Sequence, residues 1–93
     1  MRIDVPRRTV EVRGASVQLT FIEFEMLVVL AQSPGVVFSR RELLERLRGG
    51  ADYREPRTID VHVRHLREKI ERDPSYPELI LTRRGAGYRF RSE

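Results

Sequence analysis

The 93-residue sequence predicts an α+β fold in which short antiparallel strands precede three helices and a closing β-hairpin. Three features predict it. Capping boxes, Thr20 with Glu23 and Ser39 with Glu42, each head a run with apolar residues at helical spacing. From Thr58 to about Arg72, the residues Ile59, Val63, Leu66 and Ile70 fall within about 60° of one another on a helix. The two ends of the chain instead alternate apolar and polar residues in runs broken by Gly and Pro, as strands do.

Taken in order, residues 2–5 and 9–12 read as strands about a turn at Pro6-Arg7. Gly14-Ala15 marks the next turn, and residues 17–19 form a third strand. Such a meander is too small to stand alone, so its apolar face must cover something. Thr20 opens the first helix, with Phe24, Leu27, Val28, Leu30 and Ala31 inward, and Pro34-Gly35 stops it. Residues 36–38 form an extended link. The second helix covers residues 40–48, with Leu43, Leu44 and Leu47 inward, and Gly49-Gly50 ends it. Residues 51–56 are a polar loop. Thr58 caps the third helix, whose outer face carries Arg57, Val61, Arg64, His65, Glu68 and Arg72. Residues 79–83 and 88–91 are the arms of a hairpin with residues 84–87 at its tip, and Tyr88 and Phe90 alternate with Arg89 and Arg91. Three helices closed by such a hairpin make a winged helix-turn-helix, here a single domain spanning residues 1–93.

Composition removes several function classes. Hydrophobic residues make up 40% and charged residues 34%, which suits a small globule and not a disordered tail. No apolar run approaches the ~18 residues of a membrane span, and no secretory signal opens the chain, so a cytoplasmic protein with no membrane partner is expected. The absence of cysteine excludes thiolate chemistry, disulfides and cysteine metal sites. His62 and His65 cannot close a metal shell alone, and a weak pairing with a nearby carboxylate is the one metal arrangement left; no metal or cofactor is expected. No nucleophile–base pair stands out. The hydroxyls of Thr20, Ser39 and Thr58 are explained as caps, so an enzyme is not expected either.

The charge is placed unevenly. Residues 1–56 carry nine basic and eight acidic groups, whereas residues 57–91 carry nine basic and five acidic. All the basic residues but Lys69 are arginine, whose planar fork suits phosphate. A helix fits the major groove of B-DNA. There Arg64 suits guanine O6 and N7, His65 can donate to the same atoms, Val61 can touch a thymine methyl, and Asp60 can accept from cytosine N4. Alternatively Asp60 and Arg64 form an ordinary i,i+4 ion pair on a solvated face. The hairpin gathers Arg83, Arg84, Arg89 and Arg91 about Gly85 and Gly87, a narrow tip that can enter a minor groove. Arg57, Thr58, His62, Arg67 and Tyr88 flank the two readers, where backbone phosphates would lie.

Several segments then resemble one family. Leu19-Thr20-x-x-Glu23-Phe24-x-x-Leu27, Ser39-Arg40-x-x-Leu43-Leu44, Arg57-Thr58-Ile59-Asp60-Val61-His62-Val63-Arg64, Leu66-Arg67-x-Lys69-Ile70, Asp73-Pro74 and Arg84-Gly85-x-Gly87-Tyr88-x-Phe90 resemble the effector domain of OmpR/PhoB-type response regulators. The resemblance covers nearly the whole chain in order. It implies a bacterial transcription regulator at the end of a two-component phosphorelay, binding double-stranded DNA with the third helix in the major groove. The wing, Arg83, Arg84 and Gly85, would enter the adjacent minor groove. It implies phosphate contacts at Arg57, His62, Arg67 and Tyr88, and head-to-tail homodimers on direct repeats. The loop of residues 49–56, with Asp52, Tyr53 and Arg54, would face RNA polymerase. A cognate sensor kinase would act through a receiver domain outside this chain. The chain is then a trimmed effector piece or a natural single-domain protein, and its sheet lacks one strand usual before Arg2. His65 stands where the family often has arginine or lysine, Arg83 where it often has valine, and residues 49–56 lack a frequent tryptophan. The alternative function is a winged-helix module that docks on RNA polymerase or a partner domain through Asp52-Tyr53-Arg54.

Overall fold

A computed structural model describes residues 1–47 and 57–92 of the chain, and of Arg57 only its place in a helix. Strands β1 (Arg2–Asp4), β2 (Thr9–Val12) and β3 (Ala15–Val17) form an antiparallel meander. Its register pairs Ile3 with Val10 and Val10 with Val17, so that Val10 and Val12 face the core. The third strand begins two residues earlier than the sequence suggests. The turn falls on Arg13 and Gly14, at φ 49° and 80°, and Ala15 already pairs with Val12. Two consecutive positive φ values give the hairpin turn that matches strand twist. The Arg13 guanidinium donates to the Ile70 carbonyl at 3.2 Å, tying this turn to the end of the third helix.

Helix α1 (Phe21–Ala31) starts where its capping box places it. Glu23 N–H donates to Thr20 Oγ1, and Thr20 N–H donates to the Glu23 carboxylate. Its core residues differ from a single stripe. Ile22 and Met26 join Phe24, Leu27 and Leu30 inside, while Val28 and Ala31 are half-buried. The cause is location: α1 is packed by α3, α2 and the last strand on different sides. Arg8 adds a tie from the sheet, stacking 4.4 Å and 4.5 Å from the Phe21 and Phe24 rings and pairing with Glu25 at 2.7 Å. Helix α2 (Arg40–Arg46) begins at the Ser39–Glu42 capping box and is shorter than expected. Leu47 leaves it in an extended conformation yet stays buried. The end expected at Gly49-Gly50 and the loop of residues 51–56 lie outside the described residues.

Helix α3 (Arg57–Ile70) buries Ile59, Val63, Leu66 and Ile70 almost completely, the stripe its periodicity marks. It starts at Arg57, so Thr58 sits inside the first turn and is not its N-cap. Strands β4 (Ile80–Arg83) and β5 (Gly87–Phe90) form the wing, with Arg83 opposite Gly87 and a tip of Arg84-Gly85-Ala86, one residue shorter than expected. The link before α2 does more than connect. Phe38 N–H donates to the Tyr88 carbonyl at 2.8 Å and Tyr88 N–H returns to Phe38 O at 2.9 Å, extending the wing by an edge bridge. Gly87 permits this, because its φ is +142° and a Cβ there would collide with the Phe38 carbonyl. The fold is a winged helix-turn-helix. Among the described residues no helix is long and apolar enough to cross a membrane.

Two carboxylates lock α3 to its neighbours. Glu71, 5% exposed, accepts from the backbone N–H groups of Glu78, Leu79 and Ile80 at 2.8–3.1 Å, fixing the start of the wing. Glu23, 3% exposed, accepts from Lys69 Nζ at 2.6 Å, fixing α3 to α1. Burial alone would raise the Glu23 carboxyl, but hydrogen bonds from Lys69 and Thr20 outweigh it and hold it below the ordinary 4.5.

Two stability predictions follow from this packing. Gly87→Ala should weaken the fold by more than the ~1–3 kcal/mol of a strained backbone position, because the Phe38 crossing must also open. Gly85→Ala, at φ +79° with open space around the new methyl group, should cost only the backbone strain. Thermal melts that rank the two equally would contradict the close approach. Because the Glu23 carboxyl is depressed, its stabilisation is complete above pH 4.5 and is lost as pH falls further. Between pH 5 and 3, on the order of the carboxylate range, wild type should therefore lose more melting temperature than Glu23→Gln.

Candidate nucleic-acid interface

At about 100° per residue, α3 divides into four sides. One is the buried stripe. The second carries His62 and Lys69 toward α1 and Glu23. The third carries Asp60 and Arg67 toward the wing. The fourth faces solvent and holds Val61, Arg64 and Glu68, which are exposed, and His65, which is half-exposed.

Asp60 is the junction of three elements. Its Oδ1 accepts from the Tyr88 hydroxyl at 2.6 Å and from Arg40 Nε at 3.1 Å, and its Oδ2 pairs with Arg40 Nη2 at 3.0 Å. The i,i+4 pairing with Arg64 weighed from the sequence is not formed. The carboxylate instead turns to the side where a tyrosine and a guanidinium both donate. Burial, followed by the Asp60 hydrogen bond, pushes the Tyr88 phenol up to about 12. Tyr88 is itself buried, at 9% exposure. Its expected place beside a phosphate thus falls to a side chain whose hydroxyl is already engaged.

Arg67 behaves similarly. Its Nε and Nη2 donate to the Ile80 carbonyl at 3.1 and 2.8 Å, and Nη2 also donates to Thr82 Oγ1 at 2.8 Å. Its guanidinium carbon lies 5.5 Å from the Tyr88 ring centroid. Arg67 therefore spends most of its fork on the wing. His62 is half-buried, and burial pushes its imidazole below the ordinary 6.5, which favours the neutral form at pH 7. It can offer a hydrogen-bond donor but little charge. Thr58 is half-exposed in the first turn of α3.

Arg83, Arg84 and Gly85 are exposed on the wing. With Arg40 and Arg41 at the start of α2 they line a groove of about 480 Å³. Arg40 connects that groove to the first turn of α3 through its ion pair with Asp60. Sequence reading missed Arg40 and Arg41, although the Ser39 capping box already places both in the first turn of α2. Asp52, Tyr53 and Arg54 lie outside the described residues. Among the described residues no group of three or more His, Cys, Asp or Glu side chains is placed to hold a metal ion.

The Tyr88–Asp60 bond has a pH signature. A phenol raised above 10 stabilises the fold below that pH, and the contribution disappears as pH climbs through about 12. Tyr88→Phe should cost about 1.5–3 kcal/mol at neutral pH, the range for a hydrogen bond to a charged group. It should also flatten the alkaline loss of stability measured by denaturant titration. An unchanged alkaline slope would show that the phenol does not carry it.

Comparison with known proteins gives a consistent family. The family model described as "Transcriptional regulatory protein, C terminal" matches residues 14–90. The DNA-binding response regulator MtrA of Mycolicibacterium smegmatis is 44% identical over 89 residues, covering 96% of this chain and 39% of that protein. The chain therefore spans about two fifths of the length of such curated relatives. The response regulator DrrB of Thermotoga maritima, an OmpR/PhoB homologue, superposes with a TM-score of 0.85 at 36% identity over 97% of this chain and 41% of its own. The DNA-binding domain of RstA from Klebsiella pneumoniae, solved in complex with the RstA box, superposes with a TM-score of 0.83 at 37% identity over 96% of this chain and 88% of its own. With the family matched across most of its length and the winged fold in place, the chain belongs to the transcriptional regulatory C-terminal family, as an effector domain of the OmpR/PhoB response-regulator type.

Proposed function

We propose that this chain binds double-stranded DNA sequence-specifically, as the effector part of a transcriptional response regulator in a two-component phosphorelay. The observation that carries the reading is the link from the first turn of α3, through Asp60, to Arg40 and the arginine-lined groove of the wing. α3 then enters the major groove, with Val61, Arg64 and His65 at base edges. Arg84 enters the adjacent minor groove, flanked by Arg83 and Gly85. Arg40 and Arg41, with Arg57, Thr58 and His62, hold the phosphate backbone to either side. Asp60, Arg67 and Tyr88 serve from behind, setting the angle between the readers. The RstA domain bound to its box supports the same reading by similarity.

In the full-length regulator we propose a cytoplasmic protein whose receiver domain takes its signal from a sensor kinase. It would bind direct repeats as a head-to-tail homodimer and contact RNA polymerase through residues 49–56.

The test is a titration of promoter duplexes at several salt concentrations. Log K should fall linearly with log salt, with a slope of about −0.9 per neutralised phosphate. Arg41→Ala should reduce the slope by about one while leaving base preference intact. Arg64→Ala should cost about 1–3 kcal/mol on the preferred sequence and relax selection at one base pair. Salt-independent binding, or equal affinity of wild type for every sequence, would refute the reading.

A further inference from the structure

Among the described residues, the other acidic side chains that meet α3 are engaged within the fold. Asp60 is held by Tyr88 and Arg40, Glu71 by backbone amides of the wing, and Glu23 by Lys69. Glu68 is different. It is exposed, and among the described residues it has no ion pair within 4.0 Å. It stands at i+7 from Val61 and i+4 from Arg64, on the row that faces outward. Its two cationic chain neighbours turn away from it, Lys69 to Glu23 and Arg67 to the wing. A bare carboxylate thus sits in the middle of a surface otherwise suited to a polyanion.

We propose that Glu68 is a specificity-determining residue that accepts a hydrogen bond from the N4 amino group of a cytosine in the major groove. The inference rests on the DNA-binding reading of α3. A carboxylate has only acceptor atoms, and phosphates, guanine N7 and O6, and thymine O4 also present only acceptors. Glu68 therefore gains most at cytosine, gains less at adenine, whose N6 donor stands beside the N7 acceptor, and is repelled at guanine, thymine and phosphate. It lowers affinity for unrelated duplexes while it rewards one base most, which is how a few contacts yield a large specificity ratio. The rise of about 1.5 Å per residue puts Glu68 roughly 10 Å along the helix from Val61, about three base pairs away.

The experiment is selection of bound duplexes from a random pool by the wild-type chain, Glu68→Ala and Glu68→Gln, followed by titration of the winning and a scrambled duplex. Because the side chain is exposed, both variants should keep the wild-type melting temperature. The wild-type motif should contain a cytosine that becomes degenerate with Glu68→Ala. With Glu68→Gln it should shift to adenine, since a glutamine amide pairs with adenine N6 and N7. Discrimination against the scrambled duplex should fall about 5- to 150-fold with Glu68→Ala. One motif shared by all three proteins would overturn the assignment while leaving the DNA-binding reading in place. Loss confined to a guanine position would overturn it too, by showing that Glu68 acts only through Arg64. No motif from the wild-type chain would overturn both.

Discussion

The attachment of the wing to α3 is the constraint on which the rest depends. A two-stranded hairpin is marginal in water and does not choose its own orientation. Here the direction is imposed at several points along one helix. Tyr88 bonds to Asp60 in the first turn of α3, Arg67 grips the Ile80 carbonyl and Thr82 near its end, and Glu71 just beyond the helix collects three amides at the start of β4. Each bond involves an ionised group, and such bonds are shorter and stronger than neutral ones. All but the Arg67–Thr82 bond are also partly or wholly buried, where water competes least. A hairpin held at both ends of a helix has little freedom left to lose when a partner binds, and this preorganisation favours affinity.

The same attachment explains how α3 divides its residues. One side is core, one is committed to α1 through Lys69, and one is committed to the wing through Asp60 and Arg67. Only the outer row is left for a partner. Asp60 illustrates the consequence. As a residue near the positive end of a helix it reads from sequence as a base acceptor. In the fold its oxygens receive the Tyr88 phenol and the Arg40 guanidinium, a pairing that joins α3 to the wing and to α2.

What the sequence disclosed, it disclosed through short-range rules. The capping boxes at Thr20 and Ser39 are legible because the partners are three residues apart. The buried stripe of α3 is legible because that helix has one core side. The inward residues of α1 are less so, since a helix covered on several sides has no single stripe. The turn between β2 and β3 falls one residue earlier than expected because Arg13, a residue type that rarely takes a positive φ, shares it with Gly14. The junctions that aim the site were hidden for another reason. Asp60 meets Arg40 across 20 residues and Tyr88 across 28, and Phe38 pairs with Tyr88 from a link with no strand pattern. No periodicity records such meetings. Side-chain identity alone cannot separate an arginine that will touch a partner from one, like Arg67, that will build the scaffold.

That separation bears on the net charge. A formal +4 suggests a weak general attraction to polyanions. The fold redistributes it. Arg8, Arg40, Arg67 and Lys69 are drawn into internal pairs or carbonyl contacts, whereas Arg64 is exposed on α3 and Arg41, Arg83 and Arg84 are exposed around the groove. Among the described residues Arg40 is both engaged and a lining residue of the groove, where a phosphate would have to compete with Asp60 for its guanidinium. A surface with so few unspent cations cannot derive selectivity from field strength, which falls away within about 10 Å at 0.1 M salt. Its selectivity has to come from placement, and placement is what the Asp60, Arg67 and Glu71 contacts supply. The carboxylate of Glu68, left bare amid those arginines, fits the same logic: it lowers general attraction and so makes position count for more.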